Sequence, residues 1–159
     1  MKILSITEEY RSTVNDILKR EWNCPPSISK GKATDTTILP GFVAVATDND
    51  EVTGVVTYNI IDSECEIVTL NSLIENKGIG TALINEVLTA AKSAGCKRLW
   101  LITTNDDINA IRFYQKKGFD LAAAHINAMD ISRKLKPSIP LIGMDNIPLK
   151  HELEFEIWL

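Results

Sequence analysis

The sequence predicts an α/β protein whose mixed sheet is mostly antiparallel, contains a central pair of parallel strands and is flanked by helices. The first observation is the order of apolar and amphipathic segments, which runs strand, helix, three strands, helix, strand. The second is the turn Asp48-Asn49-Asp50, whose composition is typical of a hairpin between antiparallel strands. The third is an amphipathic helix ending at Gly95, which links two buried strands. A helical crossover of this kind makes the strands it joins parallel.

The composition is that of a folded globular protein. The 159 residues suffice for one domain with a substantial core, so residues 1–159 are predicted to form a single domain. Hydrophobic residues make up 45% of the chain and charged residues 24%, as in soluble proteins. The net charge is −4, and the one dense basic run, Arg133-Lys134-Leu135-Lys136, is short. We therefore predict no nucleic-acid partner.

The cysteines and the apolar segments indicate a cytoplasmic protein. Cys24, Cys65 and Cys96 are odd in number and include no Cys-x-x-Cys pair, so neither a disulfide framework nor a zinc site is predicted. No apolar stretch is long enough to span a bilayer. We expect reduced thiols, no bound metal, no membrane partner and a cytoplasmic location.

The N-terminal segment begins with a strand and a helix. Lys2 to Ile6 is predicted as the first strand, and a helix is predicted from Thr7 or Glu8 to Arg20. The helical spacing turns four side chains inward: Tyr10, Val14, Ile17 and Leu18. From Trp22 to Pro40 the periodicity disappears, and prolines, serines and glycine predict a long irregular connection.

Four strands follow along the chain. Phe42 to Ala46 and Val52 to Ile61 form the predicted hairpin, and Glu64 to Leu70 continues the meander. The fourth strand, Arg98 to Thr104, contains the apolar run Leu99-Trp100-Leu101-Ile102, which predicts burial on both faces. If Leu70 and Thr104 end two parallel strands, the gap at these carboxyl ends is the expected place for a ligand.

A helix between these strands begins in a glycine turn. Its apolar face is predicted to contain Leu83, Ile84, Val87, Leu88, Ala91 and Ala94, and Gly95 supplies the C-terminal stop. The glycine turn, Glu75 to Thr81, comes just before these apolar residues in the chain. Because Gly78 and Gly80 have no Cβ, the backbone N–H groups of the turn can approach a ligand closely.

Phosphate is the natural ligand of such a helix start, because the dipole and the N–H donors favour an anion and Lys77 adds a positive charge. An ordinary strand-to-helix turn is the alternative. The P-loop is excluded because its four-residue glycine spacing and Gly-Lys-Ser/Thr are absent, and the dinucleotide fingerprint because Leu83 stands where its third glycine belongs.

The C-terminal third is predicted to hold a short capped helix and two strands. The helix lies between Asp107 and Gly118. A strand from Phe119 to Ala128 contains His125, and three prolines then predict an irregular excursion after a short helical turn. The last strand, His151 to Leu159, alternates, with Leu153, Phe155 and Ile157 predicted inward and Glu152, Glu154 and Glu156 solvent-facing.

Such a glutamate row would discourage aggregation at a sheet edge, and the strand is a candidate homodimer interface.

Two motifs together resemble those of the GNAT superfamily of N-acetyltransferases. Gly78-Ile79-Gly80 resembles the pyrophosphate loop of that superfamily, with Glu75 where the family usually has Gln or Arg. A second segment matches in register through four residues, Ala110, Tyr114, Gly118 and Phe119, with Asp107 where the family usually has Asn. The motif support covers Cys65 to Phe119, and the rest of the chain fits through the order of its strands and helices.

The resemblance implies acetyl-CoA as donor and direct transfer of its acetyl group to a primary amine, most simply of a small molecule. Backbone N–H groups of the glycine loop would bind the pyrophosphate, the end of the strand before it would pair with the pantetheine arm, and Tyr114 would protonate or hydrogen-bond the leaving thiolate. The implied cofactor-binding residues are Leu70, Asn71, Ser72, Lys77, Gly78, Ile79, Gly80, Thr81, Asn105, Asp107 and Tyr114.

The acceptor side has weaker sequence signals. The attacking amine must lose a proton, and the candidate bases are Glu66, His125 and a water chain. Trp22 and Ser29-Lys30-Gly31-Lys32 either line the acceptor pocket or belong to a passive loop. The alternative to an enzyme is a CoA-binding sensor or docking module without turnover, which Glu75 and Asp107 favour.

Overall fold

The computed structural model describes residues 1–23 and 25–159, so the prediction of a reduced Cys24 lies outside the described residues. The chain divides into two compact units. The first contains Met1–Pro25, Asp35–Leu99 and Leu159, and the second contains Pro26–Thr34 and Trp100–Trp158. The prediction that residues 1–159 form one domain stays a prediction.

The described residues form four helices and nine strands. The helices are α1 (Glu8–Trp22), α2 (Ile79–Ser93), α3 (Ile108–Lys116) and α4 (Ala128–Leu135). The strands are β1 (Lys2–Ser5), β2 (Ser27–Ser29), β3 (Lys32–Thr34), β4 (Gly41–Val45), β5 (Val52–Ile61), β6 (Glu64–Ser72), β7 (Arg98–Thr104), β8 (Asp120–His125) and β9 (Glu152–Trp158).

The strand order confirms the predicted fold class. In the first unit it is β1-β4-β5-β6 followed by the start of β7, and in the second it is β7-β9-β8. The pairs are mostly antiparallel with one parallel pair, and helices accompany them. The predicted hairpin is present, since β4 and β5 pair antiparallel around the turn at Asp50, whose φ is +56°.

The core of the first unit lies between α1 and the neighbouring strands. Three residues of α1, Val14, Ile17 and Leu18, are buried and pack in one cluster with Val43, Val45 and Val55. Tyr10, the fourth side chain predicted to face inward, is partly buried against the same cluster. The helix runs two residues beyond the predicted end at Arg20, to Trp22.

Strand β6 extends past its predicted end at Leu70. Asn71 and Ser72 still pair with β5, opposite Val55 and Gly54. Gly54 is required here, because a Cβ on it would lie 2.4 Å from Ile79 Cγ2. The absent side chain therefore lets the first residue of α2 approach β5, which fixes the start of α2 beside the end of β6.

Helix α2 has the predicted apolar face except at its last member. Leu83, Ile84, Val87 and Ala91 are buried and Leu88 is partly buried, but Ala94 is exposed. The prediction for Ala94 was wrong because the helix has already ended: Gly95 has φ +76° and the Cys96 N–H donates to Ala91 O at 2.9 Å. This is a Schellman stop, and it confirms the predicted role of Gly95.

The segment predicted to be irregular contains a small hairpin in the second unit. Strands β2 and β3 pair through a two-residue turn at Lys30 and Gly31, whose φ values are +49° and +73°. Positive φ at both central residues is the geometry that matches the twist of a tight hairpin. The prediction of an irregular connection was wrong for these residues, because strands of three residues are too short to show an alternating pattern.

Two further predictions for the second unit need correction. Strand β7 has the predicted bounds, but Trp100 and Ile102 are only partly buried, so it is not buried on both faces. Strand β8 ends at His125 rather than Ala128, because Asn127 takes φ +58° and α4 begins with the next residue.

The largest correction concerns β9. Glu152 and Glu154, predicted to face solvent, are 1% and 5% exposed. The strand lies between β7 and β8, so it does not form a sheet edge that needs protection. Both carboxylates are tolerated because basic groups from other elements contact them. Both edges of β9 are occupied, so a second copy cannot add a strand there, and the expectation of a homodimer stays a prediction.

The proline-containing excursion after α4 is defined, as predicted. The Arg133 guanidinium donates to Pro140 O at 2.9 Å and also to Leu149 O. The Met144 N–H donates to the buried Asp106 carboxylate at 2.8 Å. These charge-assisted hydrogen bonds hold a segment that has no repetitive structure of its own.

Two kinds of feature are absent from the described part of the chain. Within residues 1–23 and 25–159, no helix is long and apolar enough to cross a membrane. In the same ranges, no group of three or more His, Cys, Asp or Glu side chains is arranged to hold a metal ion.

Candidate active site

The glycine loop of the first unit ends in the start of α2. Asn76 and Gly78 both have positive φ, +58° and +71°, and Gly78 is the N-cap without a side-chain cap. The first N–H group with a helical acceptor is that of Ala82, which donates to Gly78 O at 3.0 Å. The N–H groups of residues 79–81 therefore have no intrahelical acceptor and are available to a ligand.

The space and the charge at this helix start suit an anion. A Cβ on Gly78 would meet no heavy atom within 4 Å. The first turn of α2 contains no acidic residue, while Lys77 is exposed immediately before it. Glu75, the residue that departs from the GNAT pattern, lies in the preceding turn and is exposed, where water can solvate its carboxylate. The geometry fits a phosphate group, as the sequence predicts.

The end of β6, immediately before the loop, is tied to the end of α1. Trp22 Nε1 donates to Asn71 Oδ1 at 2.5 Å, and Ser72 Oγ donates to Ile74 O at 2.7 Å. Trp22, a candidate acceptor residue, is 46% exposed beside the predicted pantetheine strand. Leu70 is partly buried one residue earlier.

Strand β6 also contains a bulge. Thr69 pairs with Thr57 and Ile67 pairs with Tyr58, so Val68 is the extra residue on β6. A bulge interrupts the hydrogen-bond ladder and bends the strand, which is how a strand re-aims its backbone groups. Glu66 is partly buried two residues before it, on the face opposite the buried neighbours Cys65 and Ile67.

Tyr114, the candidate acid, lies in α3 of the second unit. Its ring is buried against three phenylalanines, with centroid distances of 5.3 Å to Phe113, 5.5 Å to Phe119 and 6.4 Å to Phe155. Burial, and secondarily the Asp107 carboxylate, raise the pKa of Tyr114 above its usual value. The hydroxyl therefore stays protonated through neutral pH and can act as a donor.

Asp107 and Asn105 have structural contacts in the second unit. Asp107 caps α3, since its Oδ1 accepts the Ala110 N–H at 3.0 Å. Asn105 binds the C-terminal segment: its Nδ2 donates to Pro148 O, and its Oδ1 accepts the N–H groups of Lys150 and His151, all at 2.9 Å. The capping role of Asp107 is confirmed, and cofactor contacts of both residues stay predictions.

A charged cluster on β9 was missed by the sequence analysis. We call Lys30, Trp100, His125, Glu152 and Glu154 the β9 cluster. Glu154 Oε1 lies 3.1 Å from Lys30 Nζ and 2.9 Å from His125 Nε2. Glu152 accepts the Lys30 backbone N–H at 3.2 Å, and Lys30 Nζ lies 4.4 Å from the centre of the Trp100 ring.

No local signal in the sequence pairs these residues, because Lys30 and Glu152 are 122 positions apart. His125 was a candidate base, and in the structure its Nε2 is engaged by Glu154.

The buried Glu152 predicts a pH dependence of stability. Burial raises the pKa of Glu152 above 4.5, opposed by the Lys30 N–H and by the charges of His125 and Lys30, and reinforced by Glu154. A raised pKa contributes stability fully below pH 4.5 and loses it as the pH rises through the folded-state pKa.

In Glu152→Gln this titration is absent. Urea denaturation measures the unfolding free energy of the parent and of the variant. The parent value minus the variant value should therefore decrease as the pH is raised from 4.5 to neutral. A difference that is flat or rises over that range would contradict the burial argument.

Comparisons with known proteins identify the family. Residues 8–119 match the profile of the Acetyltransferase (GNAT) family. The uncharacterized protein YdhI of Bacillus subtilis is 41% identical over 155 residues, covering 98% of this chain and 96% of YdhI. YxbD of the same organism is 36% identical over 153 residues, covering 96% of both chains.

Solved structures show the same fold. A Bacillus subtilis acetyltransferase in complex with CoA has a TM-score of 0.70 at 19% identity, covering 99% of this chain and 98% of that one. A GNAT family acetyltransferase from Elizabethkingia anophelis with acetyl-CoA bound has a TM-score of 0.72 at 20% identity, covering 99% and 97%. Because the family profile matches residues 8–119, which is most of this chain, the chain belongs to the Acetyltransferase (GNAT) family.

Proposed function

We propose that this chain is an acetyl-CoA-dependent N-acetyltransferase of the cytoplasm that acts, as a single domain, on a primary amine of a small molecule. The observation that carries the proposal is the start of α2, where an open Gly78 and the N–H groups of residues 79–81 form an anion site. The family supports acetyl transfer, and structural neighbours crystallised with CoA or acetyl-CoA support the donor.

The donor is held mainly by backbone groups. The pyrophosphate receives hydrogen bonds from Ile79, Gly80 and Thr81, and Lys77 adds a charge that is mobile because its side chain is exposed. The pantetheine arm pairs with backbone groups of Leu70 to Ser72, as an added strand pairs with a sheet. The doubly charged pyrophosphate suits the start of α2, where the N–H groups favour an anion. The neutral pantetheine arm suits the end of β6, where backbone groups can pair with it.

Tyr114 stabilises the leaving thiolate. When the amine attacks the thioester carbonyl and the C–S bond breaks, negative charge develops on sulfur. A thiol has a pKa of about 8.5, below that of a buried tyrosine, so the hydroxyl donates a hydrogen bond rather than giving up its proton. As the amide forms and the C–S bond breaks, the nitrogen loses one more proton, and this proton converts the thiolate into the CoA thiol.

Before the attack, the acceptor ammonium must lose a first proton to a base or to water, because an ammonium has no lone pair. Glu66, partly buried two residues before the β6 bulge, is the base we propose on this chain, with water as the alternative carrier. His125 is the other candidate side chain, and its Nε2 lies 2.9 Å from Glu154 Oε1.

An acetyl-transfer assay tests the proposal. Purified protein with acetyl-CoA and a panel of primary amines should release free CoA thiol, and mass spectrometry should find one acetyl group on the amine. Protein that binds acetyl-CoA but gives no turnover across the panel would instead support a CoA-binding module. No acetyl-CoA binding and no turnover would contradict both.

A further inference from the structure

The side chain of Asn71 has hydrogen-bond donors that no described residue uses. Its Oδ1 accepts the indole N–H of Trp22 at 2.5 Å. An indole N–H can only donate, so the atom that it meets is the amide oxygen, and the amide nitrogen Nδ2 occupies the other position. Within residues 1–23 and 25–159, no group accepts a hydrogen bond from Nδ2. Its N–H bonds are therefore available to a ligand.

The register of β5 and β6 turns this amide toward α1. Asn71 pairs with Val55, and directly opposite residues of an antiparallel pair project from the same face. Val55 packs in the core cluster of α1, so Asn71 shares that face. The next pair, Ser72 and Gly54, projects from the other face, where a Cβ on Gly54 would meet Ile79 of α2. The Asn71 amide and the start of α2 therefore lie on opposite faces of the sheet.

This position separates the Asn71 side chain from the proposed donor site. The N–H groups of residues 79–81 would hold the pyrophosphate beside the other face, and backbone groups of Leu70 to Ser72 would pair with the pantetheine arm. These groups bind the polar parts of the donor without using the amide. Beside the amide lies Trp22, which is 46% exposed. An indole ring can pack against the hydrocarbon part of a small molecule while a neighbouring amide binds a polar atom of it.

The chemistry of Nδ2 specifies the kind of atom that it binds. An amide nitrogen donates hydrogen bonds and does not accept them, so it cannot bind an ammonium. A hydrogen bond donated to the neutral attacking amine would occupy the lone pair that the attack requires. The atom bound is therefore an oxygen elsewhere in the amine substrate. Because Nδ2 brings no formal charge and Asn71 is partly buried, an uncharged oxygen suits it better than a carboxylate.

We propose that Asn71 Nδ2 donates a hydrogen bond to a carbonyl or hydroxyl oxygen of the amine substrate. The substrate is then an amino amide, an amino ester or an amino alcohol rather than a simple alkylamine. This inference rests on the proposed function. Trp22 is a positioning residue in it, because its indole N–H holds the oxygen of the amide and so leaves Nδ2 to face the ligand.

Calorimetric binding of glycinamide and isobutylamine to the CoA-loaded protein tests the inference. The two probes have the same branched shape, and both are mainly cations at neutral pH. They differ because glycinamide has a carbonyl oxygen and an amide nitrogen in place of two methyl groups. CoA lacks the acetyl group, so the probes bind without reacting. The measured quantity is the affinity for glycinamide divided by the affinity for isobutylamine.

Asn71→Asp separates ligand binding from support of the fold. The aspartate keeps an oxygen that accepts the Trp22 N–H and loses both donors. The affinity ratio should fall by at least about 10-fold, as the loss of one hydrogen bond implies, and the added charge cancels in the ratio because both probes are cations. Trp22→Phe, which frees the amide to turn, should lower the ratio by a smaller factor. Asn85→Asp, the same substitution at an exposed position of α2, should leave it unchanged.

An affinity ratio unchanged in Asn71→Asp, or no binding of glycinamide to the parent protein, would overturn the inference and leave Asn71 as a link between α1 and β6. A loss of acetyl-CoA affinity in Asn71→Asp would also overturn it, because the amide would then bind the donor. Circular dichroism of each variant separates these results from misfolding. Glycinamide binding that depends on Asn71 without any acetylated amine in the transfer assay would uphold the side-chain contact and contradict the proposed function. Turnover of amines with an unchanged ratio would do the reverse.

Discussion

Gly78→Val is expected to weaken acetyl-CoA binding by about 100-fold or more, equivalent to roughly 3 kcal/mol. The space around a Cβ at this position is empty to 4 Å, and we propose that the pyrophosphate occupies it. A branched side chain would fill that space and keep the phosphates from the N–H groups of residues 79–81. Titration calorimetry of the parent and the variant measures the change in Kd.

The control for this substitution is Gly95→Val at the other end of the same helix. Gly95 has φ +76° against +71° for Gly78, and a Cβ on either glycine meets nothing within 4 Å. Both variants therefore suffer similar backbone strain from a β-branched residue at positive φ. Only Gly78→Val should lose acetyl-CoA affinity. Equal affinities in the two variants would refute the phosphate site.

Tyr114→Phe is expected to lower kcat by about 100-fold while leaving the Kd for acetyl-CoA unchanged. The substitution removes only the hydroxyl. The ring contacts with Phe113, Phe119 and Phe155 remain, so the fold should be preserved. The loss should appear in kcat because the proposed hydrogen bond forms to sulfur as the thiolate develops. Steady-state kinetics with an amine found in the panel, together with calorimetry, measure both quantities.

Tyr10→Phe provides the matched control, since Tyr10 packs against the α1 core and has no proposed part in the reaction. Its kcat should equal that of the parent. A Tyr114→Phe enzyme with normal kcat would show that Tyr114 is only a packing residue, which is the alternative its buried ring allows.

The local backbone structure around the proposed donor site could be predicted from sequence because its signals are local. Gly78 is the N-cap and Gly95 the stop of α2, and each is marked by its own residue type. Asp107 caps α3 in the same way. Ala94 shows the limit of periodicity: the apolar pattern continues to it, but the backbone has already left the helix.

The β9 cluster could not be predicted from the sequence because it depends on pairings between distant residues. The alternation of Glu152, Leu153 and Glu154 is the same whether the glutamates face water or a buried cluster. The glutamates face a buried cluster because Lys30 contacts them. Lys30 lies in a hairpin whose strands have only three residues each. Alternation of polar and apolar residues indicates that the two faces of a strand differ. It does not indicate what packs against each face.

Calorimetric titration of the purified protein with acetyl-CoA, and separately with an adenine dinucleotide, tests the central claim most directly. We predict micromolar binding of acetyl-CoA at one site per chain and no binding of the dinucleotide, whose fingerprint glycine is replaced by Leu83. Absence of acetyl-CoA binding, or equal binding of the dinucleotide, would contradict the assignment of the α2 start as a CoA pyrophosphate site.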